Sequence, residues 1–108
     1  MRFMIKLTMP VESANKAIKS GTFGTTMQSI LEELKPEASY FFANNWGMRS
    51  GVIIVNMQDA SQIPAIAEPF FLAFNASVEV YPVMSPEDLG KAGPAIAQAV
   101  EKYGTDRP

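Results

Sequence analysis

The 108-residue chain contains neither histidine nor cysteine. The commonest general base and the commonest metal ligand are therefore missing, and so are thiolate nucleophiles, disulfides and cysteine-based metal centres. What remains for chemistry is a short set: Lys6, Tyr40, Trp46, Arg49, Glu79 and Tyr81. Lys6 or Arg49 can hold an anionic or carbonyl group, and a planar guanidinium does this best as a two-pronged contact to a carboxylate. Glu79 becomes a base where burial raises its pKa. Tyr40 and Tyr81 can orient a ligand through their hydroxyls. Trp46 serves either as a lid over a pocket or as an anchor on a partner. Each also has a plainer use. Lys6 and Glu79 can be an interface salt bridge, the tyrosines amphipathic interface aromatics, and Arg49 the partner of a protein carboxylate. These residue types assign no catalytic group, and they imply no metal and no cofactor. Gly21-Thr22-Phe23-Gly24 is not a phosphate loop, because the lysine is missing and the spacing is wrong.

These residues need elements to position them. Phe3, Ile5, Leu7 and Met9 alternate with Arg2, Met4, Lys6 and Thr8, which predicts a strand with one apolar and one mixed face. Pro10 ends it. A helical region follows over 11–34, broken at Ser20-Gly21 and stopped by Pro36. The middle of the chain, 35–57, reads as a β-hairpin with strands at 38–43 and 48–56 around Asn44-Asn45-Trp46-Gly47. A loop with an even residue count would put Tyr40 and Phe42 on the face of Arg49, Gly51, Ile53 and Val55, and an odd count would reverse this. Asn44-Asn45 tolerate positive φ and favour the even loop.

Asp59 or Ser61 can cap the next helix, which carries Ile63, Ile66, Ala67, Phe70 and Phe74 at helical spacing. A fourth strand over 77–83 puts Ser77, Glu79, Tyr81 and Val83 on one face. Ser85-Pro86-Glu87-Asp88 is a strong helix start, and Gly104 ends the helical tail region. One domain is expected over 1–104, with 105–108 as a tail. The order is β-α-β-β-α-β plus a C-terminal helix. It predicts an α+β, ferredoxin-like sandwich with an antiparallel sheet in the order 4-1-3-2.

Hydrophobic residues make up 47% of the chain and the net charge is −2. The composition fits a globular protein with one core. Lysines and arginines are scattered, so neither a nucleic-acid surface nor a polybasic membrane patch is expected. The first residues carry charges inside their apolar stretch, unlike a secretory leader, and no apolar run reaches membrane-spanning length. A cytoplasmic location is the expectation.

Several stretches resemble a known group. They are Pro10-Val11-Glu12 with Asn15; Lys35-Pro36-Glu37-Ala38 with Tyr40-Phe41; Gly47 with Arg49; Glu68-Pro69-Phe70-Phe71; and Pro82-Val83-Met84 with Pro86-Glu87-Asp88-Leu89. Together with the topology, they resemble a family of small bacterial proteins of unknown function within the dimeric α/β-barrel superfamily. The resemblance implies two ferredoxin-like protomers packed sheet against sheet. Superfamily members include cofactor-independent monooxygenases, haem-degrading enzymes, lactone isomerases and stress-response proteins. The haem-degrading branch relies on a ligand histidine, which this chain lacks.

The residues themselves point the same way. Helices on one side would leave Met4, Tyr40, Phe42, Ile53, Val55, Tyr81 and Val83 in water on the other, together with Arg2, Lys6, Thr8, Arg49 and Glu79. That is too much apolar surface for a monomer. A second copy of the chain, applied through the same face, is the simplest cover. The leading expectation is thus a homodimer that binds a small, partly apolar molecule in a cavity beside the sheet. A cofactor-independent enzyme of monooxygenase or isomerase type, and a structural or stress-response dimer without ligand, are the alternatives.

Overall fold

The computed structural model describes residues 1–104; the expected tail, 105–108, lies outside the described residues. Strand β1 (Arg2–Thr8) leads into helix α1 (Val11–Lys19), and helix α2 (Phe23–Leu34) follows directly. The helical region breaks at Gly21, whose φ of 77° favours glycine. Lys35 ends α2 in a left-handed conformation, with its N–H on the Leu31 carbonyl. Strands β2 (Ala38–Ala43) and β3 (Arg49–Asn56) form the central hairpin. Asp59 then caps a short 3-10 turn, exchanging hydrogen bonds with Gln62, and helix α3 (Ile63–Phe74) continues from it. Strand β4 (Ser77–Pro82) and helices α4 (Pro86–Lys91) and α5 (Gly93–Tyr103) complete the chain. Ser85 starts α4 with a reciprocal capping box to Asp88.

The four strands form one antiparallel sheet in the order β2-β3-β1-β4. This is the ferredoxin-like α+β arrangement. The core lies on one face, where Ile5, Leu7, Ile53 and Val55 meet Met27, Ile30, Ile66, Phe70 and Phe74 from α2 and α3. The rings of Phe23 and Phe74 tie α2 to the end of α3, with centroids 5.0 Å apart. No helix among the described residues is long and apolar enough to cross a membrane.

The hairpin register differs from the expected one. Ala43 lies opposite Arg49 and Tyr40 opposite Val52, so the connection has an odd count. The turn explains why. Gly47 donates its N–H to the Asn44 carbonyl, and the Asn44 N–H bonds the Met48 carbonyl. Gly47 sits at φ 72°. This is a three-residue loop closed by a glycine bulge. Asn44 acts through its side chain rather than through positive φ: its Oδ1 accepts from the N–H groups of Trp46 and Met48. As a result Arg49, Gly51, Ile53 and Val55 face the helices instead of joining Tyr40 and Phe42. Val52 and Ile54 take their place on the open face. Val83 also leaves the expected set, because β4 ends at Pro82.

Candidate functional site

The open face of the sheet carries the polar side chains in rows set by the strand register. Tyr40, Val52, Lys6 and Glu79 lie directly opposite one another across β2, β3, β1 and β4. The next row is Ala38, Ile54, Met4 and Tyr81. Four of the six sequence-derived residues therefore share this face: Lys6, Tyr40, Glu79 and Tyr81. The last two are neighbours on β4, and the Tyr81 hydroxyl donates to Glu79 Oε1 at 2.7 Å. Lys6 Nζ stands 4.0 Å from Glu79 Oε2. Glu79 is thus a hub, engaged on one oxygen by a phenol and approached on the other by an ammonium.

The hydrogen bond to Glu79 is the main reason the Tyr81 phenol is pushed above its ordinary range, with desolvation and the carboxylate's charge adding to it. Tyr81 is therefore a neutral donor, not a phenolate. The Glu79 side chain is about half exposed in the single protomer, at 49%. The buried setting expected of a base is absent there, and only a covering layer would supply it. At the border of this face Arg2 Nε contacts both Glu37 oxygens, at 2.9 and 3.0 Å. Arg2 is thereby committed to β2's edge and not to the Lys6–Glu79–Tyr81 cluster.

The remaining two residues lie elsewhere. Arg49 faces α1, where its Nη1 donates to Asn15 Oδ1 at 2.7 Å. It fastens the start of β3 to the first helix. Trp46 stands at the hairpin tip, 80% exposed. Its backbone belongs to the Asn44 turn, its N–H donating to Asn44 Oδ1.

Two features escaped the sequence. Val52 and Ile54 flank Lys6 and Met4 on the open face, but Gly51-Val52-Ile53-Ile54-Val55 is apolar at every step, so alternation carries no information on which members face out. The second feature is a groove on the helical side, between α2 and β2, with a volume of about 620 Å³. It is lined by Phe23, Met27, Leu31, Pro36 and Phe41, with Glu32 and Lys35 among its polar margins. Phe41 reaches it because the odd turn sends Tyr40 to the opposite face. Among the described residues, no group of three or more carboxylates gathers in a way that could hold a metal ion.

These observations define a class: a ferredoxin-like α+β protein whose sheet is layered with helices on one face and displays a lysine–glutamate–tyrosine cluster amid apolar side chains on the other. The chain belongs to the family described as domain of unknown function DUF3303, which it matches over residues 1–97. No curated protein matches it. Among solved structures it resembles the 5-chloro-2-hydroxyhydroquinone dehydrochlorinase TftG from Burkholderia phenoliruptrix, in complex with 2,5-dihydroxybenzoquinone. The two share 17% sequence identity with a TM-score of 0.61, over 81% of this chain and 97% of that one. At this identity the likeness establishes the fold.

Proposed function

We propose that the protein is a homodimer of the dimeric α/β-barrel superfamily, closed through the open sheet faces, that binds a small, partly apolar molecule at Lys6, Glu79 and Tyr81. The observation that carries this reading is the composition of the open face. Met4, Tyr40, Phe42, Val52 and Ile54 surround one polar cluster in which the groups already engage each other. An apolar face of this extent calls for a cover. A cover would also desolvate the cluster, strengthening its hydrogen bonds to a bound oxygen atom. A compact planar molecule with one or more acidic hydroxyl or carbonyl oxygens fits these groups best. Lys6 would meet a negative oxygen, and Tyr81 would turn its hydroxyl from Glu79 to the ligand. The solved TftG complex, with a dihydroxybenzoquinone in a protein of the same fold, lends support to that ligand class.

Sedimentation velocity tests the dimer, and a thermal-shift series with hydroxyquinones and hydroxybenzoates tests the ligand, since a molecule bound only by the folded state raises its apparent stability. The expected result is a dimer at micromolar protein, with a shift that disappears in Lys6→Ala. A monomer would overturn the dimer. Equal shifts in wild type and Lys6→Ala would remove the cluster from ligand binding.

One observation favours a catalytic reading of the same site. A neutral tyrosine bonded to a carboxylate, with an ammonium nearby, offers a proton donor and a proton acceptor without any cofactor. That arrangement suits proton transfer on a carbonyl-containing ring. Turnover lost in Glu79→Gln with ligand affinity retained would separate catalysis from binding.

A further inference from the structure

Helix α5 stands away from the body, beyond a short α4 whose first turn keeps Glu87 and Asp88 within electrostatic reach of Arg2 on β1. The radius of gyration is 18.5 Å, against about 13 Å for a compact chain of this length. The principal extents are 65 × 31 × 21 Å. Neither helix has a buried residue. Yet α5 carries Ile96, Val100 and Tyr103 at i, i+4 and i+7, which is one helical stripe, and they are 51%, 58% and 81% exposed. An isolated helix of 11 residues is marginal in water, so this stripe calls for a surface to rest on.

We infer that α4 and α5 form an exchange arm that docks on a second copy of this chain, in the groove between its α2 and β2. The inference rests on the sheet-face dimer proposed above. Three features select this occupant. The first is area. Four strands about 4.8 Å apart, each about 20 Å long, give a projected face of only about 400 Å² per protomer, or about 800 Å² in all. Even with surface relief this reaches only the lower end of the roughly 1,200–2,000 Å² that stable pairs bury, so an arm supplies what the sheets lack.

The second is topology. The arm leaves from β4, and the groove opens at β2, the opposite edge of the sheet. A twofold axis running along the strands would place β4 of one protomer beside β2 of its partner. The arm then needs only to wrap that edge, whereas its own groove lies across the full sheet. The third is chemistry. The groove is apolar at Phe23, Met27, Leu31 and Phe41, with Glu32 and Lys35 at its margin, and the arm offers an apolar stripe with Glu101 and Lys102 in its last turn.

The natural absence of cysteine makes the test clean. A full-length chain carrying Gln28→Cys in the groove and Val100→Cys on the arm is treated with a short bis-maleimide. Its mass is read on a denaturing gel, beside sedimentation of the untreated protein. The expected result is a covalent dimer, together with at least tenfold weaker dimerisation in the cysteine-free Ile96→Asp/Val100→Asp double variant. A dimer in solution with no cross-link, or one whose affinity survives the double variant, overturns the arm and leaves the sheet-face reading standing. A cross-link within one chain overturns the exchange, because the arm then folds back on its own body. A monomer overturns both.

Discussion

Ile53 and Ile54 are chemically identical neighbours on β3 with opposite surroundings, so one substitution made at each separates fold from assembly. Ile53 is fully buried and pairs with Ile5 in the core. Replacing it with aspartate removes a buried aliphatic side chain, at about 2–5 kcal/mol, and leaves an unpaired carboxylate at several more. The sum rivals the whole stability of a small domain, about 5–15 kcal/mol, so Ile53→Asp should not fold. Ile54 lies between Ala38 and Met4 on the open face. In a lone protomer its aspartate would reach water, and folding should lose only about 1 kcal/mol. In the proposed dimer two such carboxylates become enclosed. At about 3 kcal/mol each the cost is about 6 kcal/mol, which weakens the dimer by about four decades. Circular dichroism melts read the first effect, and sedimentation across a concentration series reads the second. A folded Ile53→Asp beside an unfolded Ile54→Asp would mean the opposite register. A folded Ile54→Asp with wild-type dimer affinity would refute the sheet-face assembly.

Tyr81 should show its bond to Glu79 in titration. Its folded pKa lies above the unfolded one, so this bond contributes stability fully below the ordinary phenol value and loses it as pH rises through the folded value. Phenolate absorbance should therefore show one tyrosine titrating above the ordinary range, returning towards it in Glu79→Ala; no movement would place Tyr81's hydroxyl elsewhere. Arg49→Ala should lower stability by about 1–3 kcal/mol through loss of the bond to Asn15, measured by urea denaturation. Because Arg49 faces α1, ligand affinity at the open face should remain at the wild-type level, and a loss of affinity would contradict that placement.

The sheet order and the helix positions were legible because single residues decide them. Pro10 and Pro36 bound the first helical region, Gly21 breaks it, and Ser85-Pro86-Glu87-Asp88 starts α4 with the capping geometry that pattern implies. In β1, strict alternation separates Ile5 and Leu7 from Lys6 and Thr8. Glu79 pairs with Lys6 as the strand order demands. The site was legible only in part. Lys6, Glu79 and Tyr81 sit on strands whose faces are chemically distinct. Arg49 sits on β3, whose apolar run has no distinct faces, so its direction depends on the count of residues in the turn. That count depends in turn on whether Asn44 uses its backbone freedom or its side chain, and pattern alone does not separate the two. The arm was foreseen as a helix but not as a projection, because an apolar stripe such as Ile96, Val100 and Tyr103 looks the same whether it is covered by its own chain or by another.

The Asn44–Gly47 turn has a consequence for how this chain can change. Surface loops normally absorb insertions and deletions at little cost. Here the turn's length is tied to the outward choice of Tyr40 and Phe42 over Phe41. A one-residue change that kept the tight bulged turn would shift β2 against β3 and send Tyr40 under the helices, whereas a longer loop takes up the residue with Ala43 still opposite Arg49. Viable length variants of this hairpin should therefore keep the Ala43–Arg49 pairing and give up the bulged turn. A tag or epitope grafted at Trp46 should be judged by whether Ala43 still pairs with Arg49, not by its length.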